Sequence, residues 1–282
     1  MEEKITAPEI ARSKGQRRLA MVTASDEPSA RWADRAGVDM ILVGDSLAMV
    51  ALGRPNTLAL TMDEMVHHVR AAAAGCRRAL LIADMPFGSF QISVAETVRN
   101  ACRLLAEGGA EAVKIEGARL AEVTAVTAAG IPVVAHLGLT PQSLHRFGGY
   151  RVQGRDLDSA RELCAAARGL TAAGAFAVVL EAIPTALGDA VTREIPVPTI
   201  GIGAGPACDG QVLVWADLLG YTDEPQPRFV RRYADLGREA QRAIAAFAAD
   251  VREGRYPTVE ESYPSPAGLA EALAALEEVG TC

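Results

Sequence analysis

Short apolar runs separated by amphipathic stretches organise this sequence. The runs are Leu19–Ala24, Met40–Val43, Ala79–Ala83, Ala112–Ile115, Pro132–Ala135, Ala175–Leu180 and Thr199–Ile202, with a weaker eighth at Asp217–Gly220. Each is too short for an ordinary helix and rich enough in Val, Ile and Leu for a strand buried on both faces. Between them, Ala30–Ala36, Met62–Ala74, Val94–Glu107, Leu120–Ala129 and Ser159–Ala173 have the Ala/Leu/Glu/Arg composition of helices. Thr61 followed by Glu64 predicts a capping box, and Gly37, Gly75, Gly108, Gly130 and Gly174 are placed to end helices as left-handed caps. Strand and helix alternating about eight times predicts a parallel sheet with helices outside. Eight such units in 282 residues favour a (β/α)8 TIM barrel over a doubly wound open sheet. The expected plan is one barrel domain over 1–264, with an N-terminal helix in the first 18 residues and a long helix Ala234–Glu253. Residues 265–282 then form a C-terminal tail, with an amphipathic helix over Pro266–Val279.

Composition narrows the class. Hydrophobic residues make up 50% and charged ones 22%, enough for a large core, so disorder of the whole chain is excluded. Acidic residues outnumber basic ones 35 to 28, no Lys/Arg block interrupts the balance, and aromatics are 5%; nucleic acid is therefore not an expected partner. Five cysteines without a C-x-x-C pair disfavour a disulfide framework or zinc cluster and fit a reducing cytoplasm. The segment MEEKITAPEIARSKGQRR lacks the apolar core of a signal peptide, and no run of ~18 apolar residues suggests a membrane span.

Ionisable groups fall where the barrel rule places catalysis, at the C-terminal ends of strands: Asp45 with Ser46, Asp84, Lys114 with Glu116, His136 and Glu181. Lys114 and Glu116 are two apart and share one strand face, either as part of a site at the barrel mouth or as a plain ion pair. Asp45, Asp84 and Glu116 would repel one another unless a hard divalent ion such as Mg²⁺ joins them; the simpler alternative is that the aspartates cap helices. His136 is either a substrate contact or a satisfied core histidine. Glu181 ends the apolar strand AFAVVLEA, where desolvation raises a carboxyl towards a usable base; the alternative is a buried pair with an arginine. His67, His68 and His145 have no metal-site spacing. Gly201, Gly203 and Gly205 give G-x-G-x-G, a poor dinucleotide fingerprint; these glycines are expected at a turn or a ligand approach.

Long motifs in order resemble one family, ketopantoate hydroxymethyltransferase: LVGDSL (42–47), IADMPF (82–87), VKIEG (113–117), HLGLTPQS (136–143), FGGYRVQGR (147–155), LEAIP (180–184), IGIGAG (200–205) and DGQVLV (209–214). The resemblance implies a TIM barrel of the phosphoenolpyruvate/pyruvate-binding type. It also implies hydroxymethyl transfer from 5,10-methylenetetrahydrofolate to 3-methyl-2-oxobutanoate, giving 2-dehydropantoate for pantothenate synthesis. By motif, Asp45 and Asp84 are expected as Mg²⁺ ligands, with Glu116 completing the surroundings directly or through water. Ser46 and Lys114 are expected to hold the ketoacid, His136 to contact a substrate oxygen, and Glu181 to accept the proton. A homo-oligomer, usually a decamer of two stacked pentamers, is implied as well. Two features depart from the family pattern: Ser25 replaces a tyrosine in T-A-Y-D, and only Phe90 supplies an aromatic ring shortly after IADMPF. Two rival readings are another Mg²⁺-dependent 2-oxoacid lyase or mutase on the same barrel, which would need a K-x-C-G-H-type loop that is not found, and a non-catalytic barrel homologue.

Overall fold

Alternate residues along each strand enter two different apolar layers, and this parity fixes the architecture. The computed structural model describes residues 3–222 and 226–278. Eight strands, β1 (Leu19–Thr23), β2 (Met40–Val43), β3 (Leu80–Asp84), β4 (Ala112–Glu116), β5 (Val133–Gly138), β6 (Ala177–Glu181), β7 (Thr199–Ile202) and β8 (Gly210–Leu213), form a closed barrel in sequence order. All neighbours pair in parallel, and β1 closes on β8 through Leu19↔Gly210 to Val22↔Leu213. Around them run α1 (Ala7–Arg12), α2 (Glu27–Arg35), α3 (Leu47–Val50), α4 (Met62–Gly75), α5 (Val94–Ala106), α6 (Leu120–Ala128), α7 (Leu144–Phe147), α8 (Leu157–Ala172), α9 (Thr185–Glu194) and α10 (Trp215–Leu219).

Met21, Met40, Leu42, Leu80, Ile82, Ala112, Val134, Val179, Ile200 and Val212 pack together inside the barrel, joined by Ile5, Ala7 and Ile10 at the end where the strands start. The residues between them, among others Ile41, Val43, Leu81, Val113, Ile115, Val133 and Val178, meet Val69 of α4, Leu104 of α5, Val126 of α6 and Leu170 of α8. Each buried aliphatic side chain contributes about 1.5–3 kcal/mol relative to exposure. A one-residue slip would exchange the two layers, so the register is strongly specified.

The chain divides into two compact units, Met1–Ala234 and Asp235–Cys282. The second holds α11 (Leu236–Arg252) and α12 (Leu269–Glu278). The sequence-drawn limit at 264 falls inside that second unit. Val279 and Cys282 lie outside the described residues. No helix among the described residues is long and apolar enough to cross a membrane.

Some local expectations are corrected. The weak run Asp217–Gly220 is not a strand: it ends α10, and Gly220 is its left-handed cap. The last strand is Gly210–Leu213, hidden from an apolar count because it carries Gly210 and Gln211. Gly210 is pressed against β1, where a Cβ would meet the Leu19 carbonyl oxygen at 2.6 Å. Gly37, Gly130 and Gly174 do adopt positive φ. Gly75 does not cap α4: it ends the helix without positive φ, and a Cβ there would lie 2.3 Å from the Glu27 carbonyl oxygen of α2. Nor does Gly108 take the left-handed position, which falls to Gly109 at φ +84°. Thr61 and Glu64 form the expected capping box.

Candidate active site

The parity that buries Ile82 and Ala112 inside the barrel also aims the next alternate residues inward, at its C-terminal mouth. Along β3 the inward series runs Leu80, Ile82, Asp84; along β4 it runs Ala112, Lys114, Glu116; along β5 Val134, His136; along β6 Ala177, Val179, Glu181. Strand register sets Asp84 beside Lys114 and Glu116 beside His136. Asp45 follows the end of β2, and its backbone N–H donates to Asp84 Oδ2 at 2.9 Å. Asp45, Asp84, Lys114, Glu116 and His136 are all buried.

Lys114 is the hub. Its Nζ lies 2.7 Å from Asp84 Oδ1, 3.7 Å from Glu116 Oε1 and 3.0 Å from His136 Nδ1. The opposite nitrogen, His136 Nε2, is 3.3 Å from Glu181 Oε2, and the Glu181 side chain keeps 16% exposure towards solvent. Beyond His136, β5 and β6 pinch together: Leu139 N–H donates to the Glu181 carbonyl at 2.8 Å. Gly138 makes this possible, because its φ is +94° and a Cβ would sit 2.2 Å from that oxygen. Ala182, directly after the carboxylate, is held at φ +45°, a strained value for a residue with a side chain.

One ammonium faces three buried carboxylates. Burial first, then Asp84 and Glu116, raise the Asp45 pKa well above the ordinary 3.8. Burial also raises Asp84, against the pull of Lys114. Burial works in the same direction on Glu116, but Lys114 and His136 outweigh it and hold that carboxyl low. Lys114 stays charged: burial opposes its charge, yet Asp84, Glu116 and Asp45 more than offset it. Burial and Lys114 likewise oppose a charge on His136, while Glu116 and Glu181 push its pKa up to about 9. A 3.0 Å contact with an ammonium, however, requires a lone pair on Nδ1. The contact therefore fixes the tautomer: Lys114 donates to Nδ1, and the imidazole carries its own proton on Nε2, facing Glu181.

The donor set fits a hard divalent cation. The site is oxygen-rich, Glu116 Oε1 is buried without a hydrogen bond, and Asp45 cannot ionise comfortably without further positive charge. Among the described residues no group of three or more His, Cys, Asp and Glu side chains forms a metal cage by itself. Two carboxylates and oxygens from substrate or water are the arrangement Mg²⁺ accepts.

A family model described as ketopantoate hydroxymethyltransferase matches residues 4–259. The chain belongs to the ketopantoate hydroxymethyltransferase family. A 3-methyl-2-oxobutanoate hydroxymethyltransferase of Syntrophobacter fumaroxidans is 50% identical over 99% of this chain and 99% of its own length. One from Pelobacter propionicus is 51% identical over 93% of this chain and 98% of its own. Among solved structures, a phosphonopyruvate hydrolase complexed with oxalate and Mg²⁺ superposes with TM-score 0.60 at 17% identity, covering 97% of this chain and 99% of that one. A phosphoenolpyruvate phosphomutase from Streptomyces platensis superposes with TM-score 0.59 at 18% identity, covering 98% and 97%. A 2,3-dimethylmalate lyase of the PEP mutase/isocitrate lyase superfamily gives TM-score 0.57 at 18% identity, covering 98% of each chain. At these identities the three share the barrel.

In this family member the strand-end residues converge. The aspartates cap nothing: Ser46 stands at the N-cap of α3 and Ser93 at that of α5. Lys114 pairs closely with Asp84 rather than with Glu116 alone. The neighbour of Glu181 is the His136 imidazole rather than an arginine. Half-buried Ser46 makes no capping hydrogen bond and sits over Gly44, where a Cβ would be 3.1 Å from its hydroxyl. Ser25, in place of the family's tyrosine, is buried, and its carbonyl contacts His68 Nδ1 at 2.7 Å. Gly203 and Gly205 serve packing, since a Cβ there would strike Phe229 at 2.7 Å and Thr185 at 2.5 Å.

Three features have no clear mark in the sequence pattern. Gln142 is buried against both Asp45 and Glu116. Tyr150 is near enough to the mouth that burial, Asp45, Glu181 and Glu116 hold its phenol above the usual 10.0. A cleft of about 500 Å³, lined by Phe87, Phe90, Arg119, Arg146 and Phe147, shares Glu116 and Gln142 with the cluster. The available signal was the turn-forming, polar Thr140-Pro141-Gln142-Ser143 directly after the strand end at His136.

Proposed function

We propose that this enzyme transfers a hydroxymethyl group from 5,10-methylenetetrahydrofolate to 3-methyl-2-oxobutanoate, giving 2-dehydropantoate for pantothenate synthesis. The names of the relatives supply the acceptor. The observation that carries the chemistry is the inward alignment of Asp84, Lys114, Glu116, His136 and Glu181 around one point at the barrel mouth.

Asp45 and Asp84 would hold Mg²⁺, with Glu116 beside it. When bound, the ion supplies positive charge for the oxygens of the 2-oxoacid, including the one that becomes negative on enolisation. Lys114 adds a fixed charge for the same anion, and the Ser46 hydroxyl is placed to hydrogen-bond its carboxylate. Glu181 takes the C3 proton, oriented by the Nε2–H of His136. The C3 carbanion then bonds to the donor's methylene carbon, both carbon–nitrogen bonds to folate break, water supplies the hydroxyl group, and the two folate nitrogens take up the proton removed from C3 and the remaining proton of the water. The Phe/Arg cleft beside Glu116 suits the donor: aromatic walls for a flat ring, Arg119 and Arg146 for an anionic tail.

The test is direct. Purified enzyme with Mg²⁺ and 3-methyl-2-oxobutanoate should form 2-dehydropantoate only when methylenetetrahydrofolate is added. Absence of product with all components present, or cleavage of the ketoacid without folate, would reject this reading in favour of a lyase or a non-catalytic barrel.

A further inference from the structure

We infer that Gln142 is a positioning residue that decides which carboxylate oxygens the site presents to its cation. It stands in the single 3₁₀ turn Pro141–Ser143 after β5 and is 6% exposed. Its backbone N–H donates to Glu116 Oε2 at 3.1 Å. Its side-chain Nε2 donates to Asp45 Oδ2 and to the Met85 carbonyl, each at 2.9 Å. Its Oε1 accepts from Gln91 Nε2 at 3.0 Å. Gln91 is itself oriented, because its Oε1 accepts from the N–H groups of Gly88 at 2.7 Å and Phe90 at 3.3 Å.

This chain of amides has one direction. Flipping Gln142 would set its oxygen against two acceptors, Asp45 Oδ2 and the Met85 carbonyl, and its nitrogen against the Gln91 donor. Loop donors of fixed polarity therefore run through Gln91 and Gln142 to Asp45. Gln142 thereby occupies one oxygen of Asp45 and one of Glu116, while Glu116 Oε1 stays without a hydrogen bond. A neutral donor is the suitable group here. An arginine or lysine would cancel the charge that a divalent cation needs, whereas an amide fixes the carboxylate without neutralising it. Gln142 also ties the segment after β5 to those after β2 and β3 and to the end of β4, so the oxygens are set by the fold rather than by the ligand.

The inference rests on Asp45 as a ligand of the cation, and the experiment separates the two. Mn²⁺ binding is titrated by electron paramagnetic resonance on wild type, Gln142→Met, Gln91→Met and the double variant, without substrate or folate, with melting followed in parallel. Gln142→Met keeps much of the volume and removes the side-chain donor to Asp45 and Met85, while the backbone N–H to Glu116 remains. Mn²⁺ affinity is expected to fall about 10–100-fold in Gln142→Met, and less in Gln91→Met. The double variant should bind no more weakly than Gln142→Met, since both act through one chain. A folded Gln142→Met that binds Mn²⁺ within twofold of wild type overturns the inference, as does a fully additive double variant. If Gln142→Met does not fold, Gln91→Met decides alone: unchanged affinity overturns, weakened affinity with unchanged melting supports. Failure of wild type itself to bind Mn²⁺ would remove the cation reading and this inference with it.

Discussion

Replacing Glu181 by glutamine separates its work as a base from its work as a hydrogen-bond partner. Wild-type enzyme with Mg²⁺ and 3-methyl-2-oxobutanoate in D₂O, without folate, should exchange the C3 proton, which NMR follows as loss of signal. In Glu181→Gln the amide keeps the shape of the side chain and stays across the 3.3 Å contact from His136 Nε2. The side chain is partly exposed, so no buried charge is stranded. Binding of the ketoacid, assigned to Asp45, Asp84, Ser46 and Lys114, should change little. What disappears is the basic carboxylate oxygen that takes the proton. A positioned base contributes about 10²–10⁴-fold, about 3–5 kcal/mol of barrier, and exchange should slow by that factor at unchanged ketoacid affinity. Near wild-type exchange in the variant would refute the assignment and turn attention to His136. Loss of binding together with exchange would instead make Glu181 a structural partner of His136.

Other consequences follow from the same geometry. Asp45 is raised by burial, Asp84 and Glu116 above the 3.8 it has when unfolded, so the cation-free native state binds more protons than the unfolded chain and loses stability as pH rises through that interval. Asp45→Asn does not titrate there; its Tm advantage over cation-free wild type should widen from acid to neutral pH, and Mg²⁺ should raise only the wild-type Tm. A difference independent of pH would contradict the raised pKa. Gly138→Ala should cost about 3 kcal/mol or more in urea unfolding, since a Cβ meets the Glu181 carbonyl at 2.2 Å in a left-handed backbone; a loss under about 1 kcal/mol would show that β5 and β6 can part. Arg146→Ala should raise the KM for the folate about 10-fold while leaving C3 exchange intact, and an unchanged KM would place the donor elsewhere than the Phe/Arg cleft.

What the sequence determined was local. Seven apolar runs became seven strands because a short Val/Ile/Leu segment has little choice but to be buried on both faces. The period of two placed Lys114 and Glu116 on one face before any partner was known. Strand ends made Asp45 with Ser46, Asp84, His136 and Glu181 candidates, and the family motifs supplied their expected roles. Tertiary structure decided everything that depends on contacts between residues far apart in sequence. β8 exists because Gly210 fits under the Leu19 carbonyl when the barrel closes, a steric fact with no apolar signature. Lys114 chose Asp84 over Glu116 because the β3–β4 register sets Asp84 beside it, whereas Glu116 lies two residues along its own strand. Gln142 gained meaning only when three segments met around it. An amide in a loop has no periodicity to read; its role is set by the acceptors that folding brings within hydrogen-bonding distance.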